Sequence, residues 1–155
     1  MLLETLRWLH VIGATVLLGT GAGIAFFMVM AHSTKDAGFI AKTARVVIIA
    51  DWVFTASAVL IQPITGLALA YLIGWPVFSG WVMLSIFLYI CVGLFWLPVV
   101  FIQHRLRDLA AEAAANGGGL SVRYFTLYRL WFIMGCPAFV MVLTILWLMV
   151  NKPAI

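Results

Sequence analysis

The sequence predicts an all-α integral membrane protein, an up-down four-helix bundle kinked at prolines, with both termini outside. Three observations carry that expectation. Of the 155 residues, 66% are apolar and 9% are charged, against about 45–50% and about 25% in an ordinary soluble domain. Three long windows hold no Asp, Glu, Lys or Arg: Trp8 to Thr34, Trp52 to His104, and Leu130 to Asn151. Most cations gather in two stretches between those windows. There is too little polar side chain to cover a water-facing surface, and too much aromatic side chain for disorder.

A membrane-spanning helix takes about 20 residues. The first window predicts helix 1 over about 5–31. It reads as a retained helix, because the apolar stretch is long and no A-x-A site follows Glu4 and Arg7. The middle window fits two helices and a tight turn. Helix 2 is expected over about 46–73 and helix 3 over about 81–104, joined by Gly74-Trp75-Pro76 through Gly80. Helix 3 is expected to run on in water to about 115, since Arg105 to Ala115 is rich in Ala and Leu. Asn116-Gly117-Gly118-Gly119 then stops it. Helix 4 is expected over about 125–150, and residues 1–155 form one transmembrane domain.

Net charge is +4. The cations are spread along the chain with no dense cluster, so they point to loop topology and not to nucleic acid. Lys35, Lys42 and Arg45 are assigned to loop 1–2, and Arg105, Arg107 and Arg123 to loop 3–4. The positive-inside rule makes both loops cytoplasmic. Trp75, Trp81 and Trp147 then lie near the outer interface, and Trp52 and Trp131 near the inner one. Cys91 and Cys136 have no metal-type spacing. The expected location is the inner membrane of a bacterium, crossed several times.

Polar residues at membrane depth are expensive and mark candidate sites. The outer layer holds His10, Gln62, Thr65, Met83 and Met149. A neutral imidazole at His10 can ligate a haem iron or another metal, with Met83 or Met149 opposite it. The inner layer holds Met28, Met30, His32, Asp51, Gln103, His104 and Arg129. Asp51 is the only acid expected inside a span. It reads either as a structural pair with Arg129 or as a proton-relay or substrate carboxylate. His32 and His104 read as headgroup-level residues, with a two-His metal site as the alternative. Met28-Val29-Met30-Ala31-His32 has the ligand types of a copper site, but Met30 points away from the face shared by Met28 and His32. Gly19 and Gly23 have small-xxx-small spacing, expected to serve close helix contact. Pro63, Pro98 and Pro137 free backbone carbonyls, one of which Gln62 is placed to reach.

The run Leu6-Arg7-Trp8-Leu9-His10-Val11-Ile12-Gly13, the pair Asp51-Trp52, and Gln62-Pro63-Ile64-Thr65-Gly66-Leu67 form an ordered set of motifs. Trp96-Leu97-Pro98 with Gln103, and Trp131 through Gly135-Cys136-Pro137-Ala138-Phe139, continue it. Together they resemble a family of predicted bacterial integral membrane proteins, domain of unknown function 2269, over nearly the whole chain. More distantly, the first helix resembles those of HemJ-type protoporphyrinogen oxidases and CopD-like copper-resistance proteins. The HemJ-type resemblance implies a haem-binding membrane oxidoreductase with His10 as a ligand. Those enzymes also carry a Lys four residues after a Trp at the start of helix 3. Ser85 stands at that place here, after Trp81, which argues against protoporphyrinogen oxidation.

Two readings follow. In the first, the protein binds haem b through His10, with Met83, Gln62 and Thr65 about it. Asp51 moves protons, and a quinone or another membrane redox protein exchanges electrons. In the second, it is a non-enzymatic module organised around Asp51: a small homodimeric transporter, an accessory subunit or, as a variant, a copper-handling protein. The lipid bilayer is a partner in both, and a homo-oligomer is expected.

Overall fold

In a computed structural model, which describes residues 1–78 and 80–155, the chain forms four helices. They are α1 Leu2–Ser33, α2 Ala37–Ile73, α3 Gly80–Ala115 and α4 Val122–Asn151. Each is long and apolar enough to cross a membrane, and no strand occurs among the described residues.

Local chemistry sets the helix ends. The chain leaves α1 at Lys35, whose φ is 58°. Asp36 then caps α2, its carboxylate accepting from the Phe39 N–H at 3.0 Å. Helix α2 therefore starts at Ala37, well before the expected 46, and Lys42 and Arg45 lie on helix and not in a loop. Counting charge-free windows misses this segment because it is amphipathic. Ile40, Ala44, Val47 and Ile48 are buried at helical spacing, while Lys42 and Arg45 face out. Gly74 ends α2 in the left-handed region, at φ 81°. Ser121 caps α4 by accepting from the Tyr124 N–H.

Helix α2 is not uniform. Asp51–Thr55 forms a π-helical turn, closed by the Ala56 N–H on the Asp51 carbonyl. The sequence reading placed its irregularities at prolines instead. Helical structure continues through Pro63, Pro98 and Pro137. Pro63 has no N–H for the Val59 carbonyl. The Tyr89 hydroxyl of α3 donates to that carbonyl at 2.6 Å.

Packing changes along α2. Its first half, Ala37–Ala50, lies between α3 and α1, and its second half, Ala56–Ile73, lies against α1 alone of the two. Helices α3 and α4 pack along each other, whereas α1 and α4 touch little. The buried core therefore gathers at one end of the bundle, around Met28, Ala44, Leu106, Ala110, Tyr124 and Trp131. Trp131 belongs to that core, so its ring faces the bundle and not the lipid. Gly19, Gly21 and Gly23 have nothing within 4 Å of a would-be Cβ. Within this chain, the Gly19–Gly23 face makes no close helix contact, contrary to the sequence expectation. Close approach of α1 to α2 occurs at Gly13, under the Gln62 side chain, and at Gly66, under the His10 ring.

Leu106 is fully buried, on the part of α3 that extends past the apolar window. Leu106→Ala is expected to cost about 2–5 kcal/mol, measured by reversible unfolding in detergent. A loss below about 1 kcal/mol would contradict this core.

Candidate functional site

A cavity of about 540 Å³ lies among all four helices, a size usual for small-molecule sites. Helix α1 supplies Ala14, Leu17 and Gly21, and α2 supplies Asp51, Thr55, Val59 and Gln62. Tyr89, Gly93, Trp96 and Gln103 come from α3, and Trp131, Gly135, Phe139 and Met149 from α4. The wall is almost wholly apolar. Gly21, Gly93 and Gly135 stand on three different helices, and each has open space where a Cβ would be. The space exists because α1 keeps away from α4 and the second half of α2 leaves α3.

The π-helical turn brings Asp51 and Thr55 to this cavity. Asp51 is 3% exposed, and its Oδ1 accepts from the Trp96 Nε1–H at 3.3 Å. Its Oδ2 and Thr55 Oγ1 make no hydrogen bond but are neighbours that a small movement pairs with each other, while Gln103 Oε1 and Trp131 Nε1 have no partner. Among the described residues these four are the only buried side-chain polar atoms left without a hydrogen bond, and all four residues line the one cavity. Leaving such an atom unpaired costs about 1–3 kcal/mol. Polar atoms without hydrogen bonds therefore all belong to residues lining this otherwise apolar cavity.

Arg129 does not pair with Asp51. It is exposed, and the ion pairs among the described residues are Met1 with Glu4 and Arg107 with Asp108. The reason is helical phase. Arg129 stands two residues before Trp131, so the two point to opposite sides of α4, and Trp131 faces inward.

His10, Gln62 and Thr65 are brought together, chiefly as the joint between α1 and α2. The Thr65 hydroxyl donates to the Ile61 carbonyl at 2.9 Å. It also lies 2.8 Å from His10 Nδ1; with the hydroxyl proton on the Ile61 carbonyl, His10 donates through Nδ1 and the Nε2 lone pair is free. The Gln62 amide donates to the His10 carbonyl at 2.8 Å, so Gln62 does not take a proline-freed carbonyl. His10 is not on the cavity wall, although it stands one turn before Ala14 on the same face of α1. Met83 is half exposed and off the wall, while Met149 is on it. At the other end, the His32 ring stacks on Tyr128 at 3.6 Å, and its Nδ1 lies 3.3 Å from the Tyr124 hydroxyl. Met28 is fully buried and Met30 is 45% exposed, so the two thioethers share no site.

The sequence singles out neither Thr55 nor Tyr89, and it offers Trp96 and Trp131 only as motif or interface residues and not as site residues. Two signals were present. A proline at 63 frees the carbonyl of Val59 and calls for a donor. A Thr four residues from a buried Asp is a candidate neighbour of it on one face.

Gly13→Ala forces the Gln62 amide off the His10 carbonyl and should lower stability by about 0.5–1.5 kcal/mol. Gly19→Ala meets nothing and should be neutral or stabilising by up to about 1 kcal/mol. Parallel unfolding of both variants in detergent checks this. Equal effects would overturn the assignment of the α1–α2 contact.

The family model described as "Predicted integral membrane protein (DUF2269)" matches residues 4–153. The chain therefore belongs to that family and is a multi-pass integral membrane protein. No curated protein and no solved structure matches it.

Proposed function

We propose that this member of the DUF2269 family binds an apolar molecule with a polar head, taken from the bilayer into the cavity among its helices. The carrying observation is that the four buried polar atoms without hydrogen bonds all belong to residues of one glycine-walled apolar cavity. Gln103 Oε1 lacks a donor and Trp131 Nε1–H lacks an acceptor. A head bearing a hydroxyl supplies both, and small side-chain movements suffice to meet it. Quinol-type molecules have this chemistry, which links the cavity to a quinone partner. Asp51 is the group at the site able to hold or pass a proton.

The proposed topology is up-down with both termini outside, in the inner membrane of a bacterium. It is supported by His10 meeting Thr65, by His32 meeting Tyr124, and by Lys152 Nζ lying 4.7 Å over the Trp75 ring. The Gly19–Gly23 face, unused within the chain, supports a homodimer.

The test is organic extraction of protein purified in mild detergent, with mass spectrometry of the extract and quenching of tryptophan fluorescence by a short-chain quinone. The wild type should carry a bilayer-derived apolar molecule and be quenched. Gly135→Leu, which fills the cavity, should lose both. Wild-type protein that carries nothing and is not quenched would refute the proposal.

A second reading, haem b on His10, is favoured by one observation. Thr65 holds the imidazole through Nδ1 at 2.8 Å, and a ring that donates there offers Nε2 to iron. Met149, on the cavity wall, or Met83 would be the second ligand. Haem would supply one-electron chemistry, and the chain would hold and orient it. A Soret band in the purified protein that vanishes in His10→Ala and persists in His32→Ala is the expected result. Colourless protein from haem-replete cells would end this reading and leave the cavity proposal standing.

A further inference from the structure

The segment Ala37–Ala50 of α2 packs against α3 through small and aliphatic residues. Ala44, Ala110, Ile40 and Leu106 are all fully buried. Alanine on both sides lets the two backbones approach closely. One consequence is electrostatic. The approach brings Lys42 and Arg45 of α2 to the same recess as Arg107 of α3, with Ala41 and Ala111 as its remaining walls. The recess holds about 460 Å³. It lies just past the end of the charge-free windows, where helices of this length leave the hydrocarbon layer.

Its charges are poorly balanced. Arg107 binds the Asp108 carboxylate at 2.7 Å, in a partly exposed pair. Lys42 and Arg45 have no acidic partner among the described residues. Asp36, the acid nearest Lys42 in sequence, is turned to the Phe39 N–H as a helix cap, and Asp51, the acid nearest Arg45, meets Trp96. Three cations about one small-walled recess repel one another until an anion enters. Guanidinium groups from two helices also match a phosphate's geometry. We infer that the recess formed by Lys42, Arg45 and Arg107 binds the phosphate of an anionic phospholipid headgroup. This site is separate from the central cavity and does not depend on what the cavity holds. The lipid source is favoured over a soluble phosphate by place, because the recess opens where headgroups lie and exposed apolar residues such as Val46 and Ile49 continue from it along α2.

The experiment uses the full chain in nanodiscs of phosphatidylcholine with and without phosphatidylglycerol. Lipids retained after release into detergent are read by native mass spectrometry. Retention of phosphatidylglycerol over phosphatidylcholine is expected. Each cation near a headgroup contributes roughly a fivefold factor, so Lys42→Gln with Arg45→Gln should weaken retention roughly 25-fold. Arg123→Gln, outside the recess, should change it little. Ala111→Leu keeps every charge but fills the recess, and should also lose the lipid, which guards against a double variant that fails to fold. Inorganic phosphate forms the second arm. If it competes at millimolar concentration and binds lipid-free protein equally well, the ligand is a soluble anion and the lipid assignment falls. Equal retention of both lipids, or no effect of Ala111→Leu, would also overturn it.

Discussion

Helix α2 keeps α1 beside it along its whole length but keeps α3 only before Asp51, and the rest of the architecture depends on that loss of one neighbour. Before Asp51 it presents Ile40, Ala44 and Val47 to the core shared with α3. After Thr55 it leans on α1, where Gly13 and Gly66 let side chains nest. The π-helical turn between them adds a residue to the turn and rotates the following face. Asp51, Thr55, Val59 and Gln62, at i, i+4, i+8 and i+11, all line one space.

The loss of that neighbour also opens the interior. Where α2 leaves α3, nothing replaces it, and the Tyr89 hydroxyl reaches across to a carbonyl that Pro63 has released. Inside a bilayer no water competes for such a group, so a proline in a helix needs a donor from elsewhere. The helix is thereby tethered at its loosest point, while the neighbouring volume stays empty of side chains. Three glycines keep it so. A wall this apolar is compatible with molecules that already reside among lipid tails. The atoms without hydrogen bonds at Asp51, Thr55, Gln103 and Trp131 add a polar requirement to that wall.

Charge is distributed by the same geometry. The end of the bundle with the dense core carries helix extensions beyond the apolar layer, and on them Lys42, Arg45 and Arg107 converge. The opposite end is closed by aromatic contact. Trp75 meets Trp81 edge to face at 4.9 Å, with Lys152 above. One end is thus suited to anionic headgroups and the other to the amphipathic interface favoured by tryptophan.

Four spans, the all-helical class and the turn at Gly74 were legible in the sequence, because hydropathy and turn chemistry act over one helix or one turn, whereas the caps at Asp36 and Ser121 were seen only in the structure. The sequence also marked Asp51, Gln62 and His10 as costly residues needing an account. It did not reveal their partners. Asp51 meets Trp96 and not Arg129, because helical phase and the π-helical turn decide which side chains face inward. Gly13 and Gly66, and not Gly19 and Gly23, carry the close helix contact, because small-residue spacing states what is permitted and only a neighbour's position states what is used. The cavity was legible only as an open question, since it arises where helices fail to touch. Hydropathy determined by itself that the chain enters a membrane as four helices. Tertiary structure alone decided which polar groups share an interior, since that depends on how each helix is rotated and on which neighbour it meets along its length.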